Sequence, residues 1–140
     1  MKNVVVESCQ FEIYENGLLN VNGIVAVHSS SVASTNSKVD GKGIYTTLNV
    51  TVSGFTSSSV SGWISGTGST TTPLGVVVPG QIVASALYNK VDGDAIFLEG
   101  DTAENVTIYG KKQEGEYVVD ATTTVTIKVK SAGQTAVKAE

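Results

Sequence analysis

Few side chains in this chain could do chemistry, and their spacing limits what they could do. His28 is the only histidine and Cys9 the only cysteine. Together they would supply half of a tetrahedral zinc site, so carboxylates or another chain would have to complete it. A lone cysteine also excludes an intrachain disulfide. A catalytic histidine needs a nucleophile or an orienting partner, and the serines that follow His28 carry no signature of such a pair. The plainer readings are a strand-end histidine with satisfied hydrogen bonds and a small buried hydrophobe at Cys9, which sits in an alternating run. Cys9 and His28 are thus the only metal candidates, and no metal or other cofactor is expected.

The carboxylates Asp92, Asp94, Glu99 and Asp101 cluster in VDGDAIFLEGD and raise the question of calcium. Their spacing fails the helix-loop-helix pattern, which wants an acidic residue where Ala103 stands. Aspartate is common at turns because it stabilises the turn itself, which is the reading preferred here. Asn49-Val50-Thr51 and Asn105-Val106-Thr107 match the glycosylation sequon but read better as one strand position used twice. Nothing resembles a phosphate loop, a nucleophile elbow or a hydrolase acid pair, so no enzymatic activity is expected.

The elements that hold these residues are repeated. SKVDGKGIYTTLNVTVSG (37–54) and NKVDGDAIFLEGDTAENVTIYG (89–110) share Lys-Val-Asp-Gly, at Lys38 to Gly41 and Lys90 to Gly93. Val32-Ala33-Ser34 is matched by Val83-Ala84-Ser85 upstream; downstream, Ile44-Tyr45 is matched by Ile96-Phe97. Asp-Gly between β-branched or aromatic runs signals a tight hairpin, which predicts turns at Asp40-Gly41 and Asp92-Gly93. One copy buries too little to stand alone, so the two copies must pack on each other or on a third element. The repeat units run over about 31–54 and 82–110. A partial third unit over 118–140 is suggested by Gly133-Gln134 and Val137-Lys138, which echo Gly80-Gln81 and the Val-Lys pairs at the turns. Three such units would have pseudo-threefold character.

Composition agrees with an all-β fold in one domain, 1–140. The chain holds 22 Val, 16 Thr, 15 Ser and 15 Gly but only 2 Pro, a mixture suited to short strands and glycine turns. Its net charge is −4, and all nine cations are lysine. Without arginine or a basic patch, nucleic-acid and phosphate recognition are disfavoured. MKNVVVESCQF is too short and too polar for a secretory signal, and no apolar run approaches a membrane span, so synthesis in the cytoplasm without stable membrane insertion is expected.

Strands are predicted at Asn3 to Val6, Gln10 to Tyr14 and Leu18 to His28, with turns at Glu15-Asn16-Gly17 and Asn22-Gly23. Residues 55 to 72 form either a flexible loop or a strand in tight packing, with Trp63 anchoring a core edge. A short strand between Pro73 and Pro79 and a solvated turn over Lys111 to Glu116 follow. Ala121 to Lys130 is the cleanest amphipathic strand.

Three stretches carry a resemblance to a known family: Asn20-Val21-Asn22-Gly23, Val39-Asp40-Gly41-Lys42, and Val91-Asp92-Gly93 followed by Glu99-Gly100-Asp101. With the NVTVSG, VTIYG and TVTIKVKSAGQTAVKAE segments they resemble the PAAR and PAAR-like spike-tip proteins. The resemblance implies a compact β cone whose turns fall at Asp40, Gly41, Asp92, Gly93, Gly100 and Asp101. It also implies a structural tip on a trimeric spike or hub of a phage tail, type VI secretion system or related contractile injection machine, incorporated in that particle and able to carry an effector. Family members of the zinc-tipped kind converge several histidines and a cysteine at the apex; this chain has one of each, so the metal is not carried over. A capsid- or tail-decorating protein, or a fibre-type glycan-binding module, is the alternative.

Overall fold

The computed structural model describes residues 1–69, 82–86 and 88–140; the strand expected between Pro73 and Pro79 lies outside them. Thirteen strands and no helix are found among the described residues. They are β1 (Lys2–Asn3), β2 (Gln10–Glu15), β3 (Leu18–Asn20), β4 (Ile24–Val27), β5 (Val32–Val39), β6 (Lys42–Thr47), β7 (Val50–Phe55), β8 (Trp63–Ser69), β9 (Lys90–Val91), β10 (Asp94–Ala95), β11 (Thr102–Glu114), β12 (Tyr117–Ser131) and β13 (Lys138–Ala139). The fold is all-β, as the composition requires.

Seven strands form one antiparallel sheet in the order β3-β2-β12-β11-β8-β7-β4. Its two edge strands, β3 and β4, are joined by only Val21, Asn22 and Gly23. Four residue steps span at most about 14 Å, so the edges are drawn together and the sheet must curl. Hydrogen bonds cross this seam: Thr56 N donates to Asn22 O at 2.8 Å, and Asn20 Nδ2 donates to Thr56 O at 3.0 Å. Alternation fills the inside of the curl. Val125, Ile127 and Val129 of β12 meet Val106 and Ile108 of β11, Val50 and Val52 of β7, and Phe55, all buried.

Both Asp-Gly corners are tight hairpin turns with the same backbone geometry. Asp40 and Gly41 have φ of 51° and 78°, and Asp92 and Gly93 have 52° and 83°. Two successive positive φ values define the turn whose twist matches paired strands, and glycine in second place removes the steric penalty. The third element that the repeats require is the N-terminus. Val5 N donates to Phe97 O at 3.0 Å, and Tyr45 N donates to Val5 O at 3.3 Å, so equivalent residues of the two repeats bond to the N–H and the C=O of one residue. Antiparallel bridges at Val4 to Leu98 and Val6 to Ile44 extend this pairing.

The three valines alternate between two cores. Val5 faces the main one, while Val4 and Val6 join Val39, Ile44, Ile96, Leu98 and Ala139 in a second cluster against which Val91 packs. The C-terminal stretch, read from sequence as a partial third unit, makes no Asp-Gly hairpin. Instead β13 pairs with β1, and Gln134 Nε2 donates to Val4 O at 2.7 Å and to Val137 O at 2.8 Å.

Some local expectations change. Asn22-Gly23 is not a hairpin turn, because β3 and β4 pair with different strands; Asn20 Oδ1 accepts from Asn22 N instead. The turn expected over Lys111 to Glu116 shrinks to Gly115-Glu116, since β11 runs to Glu114 with β12 on one side and β8 on the other as far as Lys112. Of the 55–72 stretch, residues 55–69 are described, and they combine a loop with a tightly packed strand. Residues 57–62 form a loop, and β8 packs so tightly that only glycine fits at Gly66. The Trp63 ring lies across the cross-strand pair Gly66 and Gly110, its Nε1 donates to Phe55 O at 2.8 Å, and it meets the Phe55 ring edge-on at 6.2 Å.

A Cβ at position 110 would stand 2.4 Å from Trp63 Cζ2 and 2.5 Å from Ser65 O. Gly110→Ala is therefore expected to cost about 1–3 kcal/mol and displace the ring. Urea unfolding followed by emission of the single tryptophan reads both effects. An unchanged midpoint and emission maximum would contradict this packing.

Candidate functional site

The most unusual chemistry lies at the closed end of the curl. Phe11, Ile13 and Glu15 share the inward phase of β2, which carries an acidic side chain into the interior; Glu15 is only 1% exposed. No cation accompanies it among the described residues. Hydroxyls and amides surround it instead. Ser57 Oγ (2.6 Å), Ser59 Oγ (2.7 Å) and Thr123 Oγ1 (2.8 Å) donate to Oε2, while Ser58 N (2.7 Å), Ser58 Oγ (2.9 Å) and Asn20 Nδ2 (3.3 Å) donate to Oε1. Burial alone would raise the carboxyl pKa, but the bonds from Ser57, Ser59, Ser58 N and Thr123 outweigh it and hold the group down at about 2.

The donors come from β3, β12 and the loop after β7, so the carboxylate ties together strands from both sides of the seam. With six donors engaged it has no free lone pair for a substrate, and its role is that of a clasp. Next to it a groove of about 380 Å³ runs along the seam, lined by Phe11, Ile13, Leu19, Val21 and Val25 with Glu12 and Lys130 at its rim.

The residues singled out from sequence fall elsewhere. Asp40 and Asp92 shape their turns, and Asp94 pairs with Val91 across the second one. Gly100, with φ of 94°, donates to Val129 O at 2.9 Å, and Val129 N returns a bond to Asp101 O at 2.9 Å, fixing the second repeat to β12. The buried Asp101 carboxylate accepts from Leu98 N (2.9 Å), Ser85 N (3.1 Å) and Ser85 Oγ. Glu99 accepts from Ala132 N at 3.1 Å. Asp101 and Glu99 thus tie their loop to Ser85 and Ala132. Asn49 precedes β7, whereas Asn105 sits in a bulge of β11 at φ 57°; both lead into an inward valine.

Cys9 and His28 each serve locally. His28 Nδ1 accepts from Ser30 N at 3.0 Å and contacts Ser30 Oγ at 2.8 Å. Cys9 packs against the main core, and burial pushes its thiol up to about 11. Among the described residues, no three His, Cys, Asp or Glu side chains converge as a metal site, and no helix is long and apolar enough to cross a membrane. No family model, curated protein or solved structure matches the chain.

Glu15 was not singled out from sequence, although two signals were available. It continues the inward alternation of Phe11 and Ile13, and a run of three serines at 57–59 offers donors with no other evident task.

Two outcomes follow from these environments. A carboxyl with a depressed folded pKa stabilises the fold above its unfolded value, and that stabilisation is lost as pH falls from about 4.5 towards about 2. Glu15→Gln should therefore lower stability at neutral pH by about 1–3 kcal/mol and flatten the acid limb of the stability curve. An unchanged acid limb would refute the clasp. At pH 8 the Cys9 thiol should react with a disulfide reagent far more slowly in the folded chain than in urea, because little thiolate is present; equal rates would contradict its burial.

Proposed function

We propose that this chain is a non-enzymatic tip or capping protein that docks on a trimeric spike or hub of a contractile injection machine. The observation that carries this reading is the arrangement of the two Lys-Val-Asp-Gly repeats, which bond end to end along the Val4 to Val6 segment over one shared apolar cluster. Repeated glycine-turn units are what the PAAR resemblance implies.

Mechanical considerations favour the same reading. A puncturing tip has to bear load, and here both termini are tied into the second core, β13 with β1 and Val4 N to Val137 O at 3.0 Å. The curled sheet also keeps two edge strands, β3 and β4, and a sheet edge is a ready template for another chain's strand. Zinc at the apex forms no part of the proposal, since Cys9 and His28 are each engaged within their own segments.

The test is co-assembly with a purified trimeric spike protein of a contractile injection machine, followed by light scattering on the eluted complex. One copy per three spike chains is expected. A stable homotrimer without spike affinity would overturn the reading.

A further inference from the structure

Strand β12 lies inside the seven-stranded sheet, with β2 on one side and β11 on the other. Val125 and Ile127 point into the core, so Thr124 and Thr126 project from the outer face. The same phase sets Tyr14 beside Thr126 and Thr107 beside Thr124 on that face. Here a cleft of about 420 Å³ is lined by Tyr14, Thr124 and Thr126, by Asn16 of the β2–β3 turn and by Asn105 of the β11 bulge. Both asparagines have positive φ, 52° and 57°. A bulge re-aims a side chain out of the regular ladder, and this one brings an amide to the cleft.

None of the described residues that line the cleft is charged. Among the described residues, nothing hydrogen-bonds to the side chains of Asn16, Asn105, Thr124 or Thr126, so two amides and two hydroxyls remain for a ligand. The Tyr14 ring is fixed at its tip, where the hydroxyl donates to Glu12 Oε1 at 2.9 Å. The same chemistry continues across the sheet. Thr107 stands opposite Thr124, and Tyr109, 65% exposed, stands between Thr122 and Thr67. From Tyr14 to Tyr109 is two strand spacings across and four residues along, roughly 16 Å.

We infer that this cleft binds a neutral carbohydrate, an oligosaccharide whose chain runs from Tyr14 towards Tyr109. Other ligand classes meet a mismatch here. A phosphate or an acidic glycan would find no lysine in the lining and would meet the exposed Glu104 next to Asn105. A metal ion would find no carboxylate. An apolar ligand wants apolar walls, whereas amides and hydroxyls predominate. A peptide strand needs an open edge, yet β12 is paired on both sides. A sugar fits each group. An amide side chain both donates and accepts, which suits neighbouring hydroxyls of one ring. The electropositive C–H face of that ring rests on the negative face of a tyrosine. Neutral hydrogen bonds only replace bonds to water, so a single sugar binds weakly and the second tyrosine favours a longer chain. The inference stands whether or not the chain caps a spike.

Magnetic resonance titration of the isotope-labelled chain with maltohexaose, cellohexaose, mannohexaose and chitohexaose tests it, with hexagalacturonate as the charged control. At least one neutral probe should shift the amides of Asn16, Asn105 and Thr124 saturably, and hexagalacturonate should not. Tyr14→Ala should weaken that binding by about tenfold. Asn105→Gly, which keeps the positive φ without strain, should weaken it by about fivefold. Tyr109→Ala should weaken the hexasaccharide but not the matching disaccharide. Tyr117→Ala, an exposed tyrosine near the tip of the β11–β12 hairpin, should leave both unchanged. Unshifted amides in β7 and β8 show that each variant is folded. Silence of the cleft amides towards all four neutral probes would overturn the inference. Equal binding of hexagalacturonate would do the same, as would binding that survives both Tyr14→Ala and Asn105→Gly.

Discussion

The structure depends on one short segment, Val4 to Val6, bonded along one edge to both repeats and along the other to the C-terminal stretch. Its peptides bond to Phe97 and Tyr45 in the two repeats and to Val137 and Ala132 in the C-terminal stretch. Because successive side chains of an extended strand point to opposite sides, the same three residues fill two cores at once. Each hairpin alone would be marginal in water. Joined to a common strand, they share the burial of Val39, Ile44, Ile96 and Leu98, and neither can leave without exposing the other.

The second constraint is closure. A seven-stranded sheet with both edges open would leave its inner face half covered. Only three residues separate β3 from β4, so the chain itself limits how far the edges can stand apart, and the Glu15 carboxylate holds strands across the gap. An ion pair would have required a buried cation and its desolvation. Neutral hydroxyls from Ser57, Ser58, Ser59 and Thr123 stabilise the same charge and leave the surrounding surface uncharged.

Much of this was legible in the sequence. The Asp-Gly turns, the duplicated unit and the inward phase of Ala121 to Lys130 follow from local rules, and local rules determine them in the structure too. The need for a third element was also readable, but its identity was not, because the pairing of Val5 with residues 40 and 92 positions away leaves no local mark. Asn22-Gly23 misled for a related reason. The dipeptide suits a hairpin, yet the partner of each flanking strand is chosen by the curl of the whole sheet. Lys111 to Glu114 looked like a turn because lysine and glutamate favour solvent, and the exposed face of a strand satisfies that preference equally well. Glu15 could be placed inside by its phase, but its six donors come from segments up to 108 positions distant.

If Val4 to Val6 joins the repeats into one unit, its amides cannot open before the fold does. Native-state hydrogen exchange at Val5 and Tyr45 measures this directly. The account predicts that both amides exchange only by global unfolding, with the same denaturant dependence as the central strands β11 and β12. Exchange of Val5 by fraying of the N-terminus, while Tyr45, Phe97 and the central strands stay protected, would show that the repeats stand without it and would contradict the account.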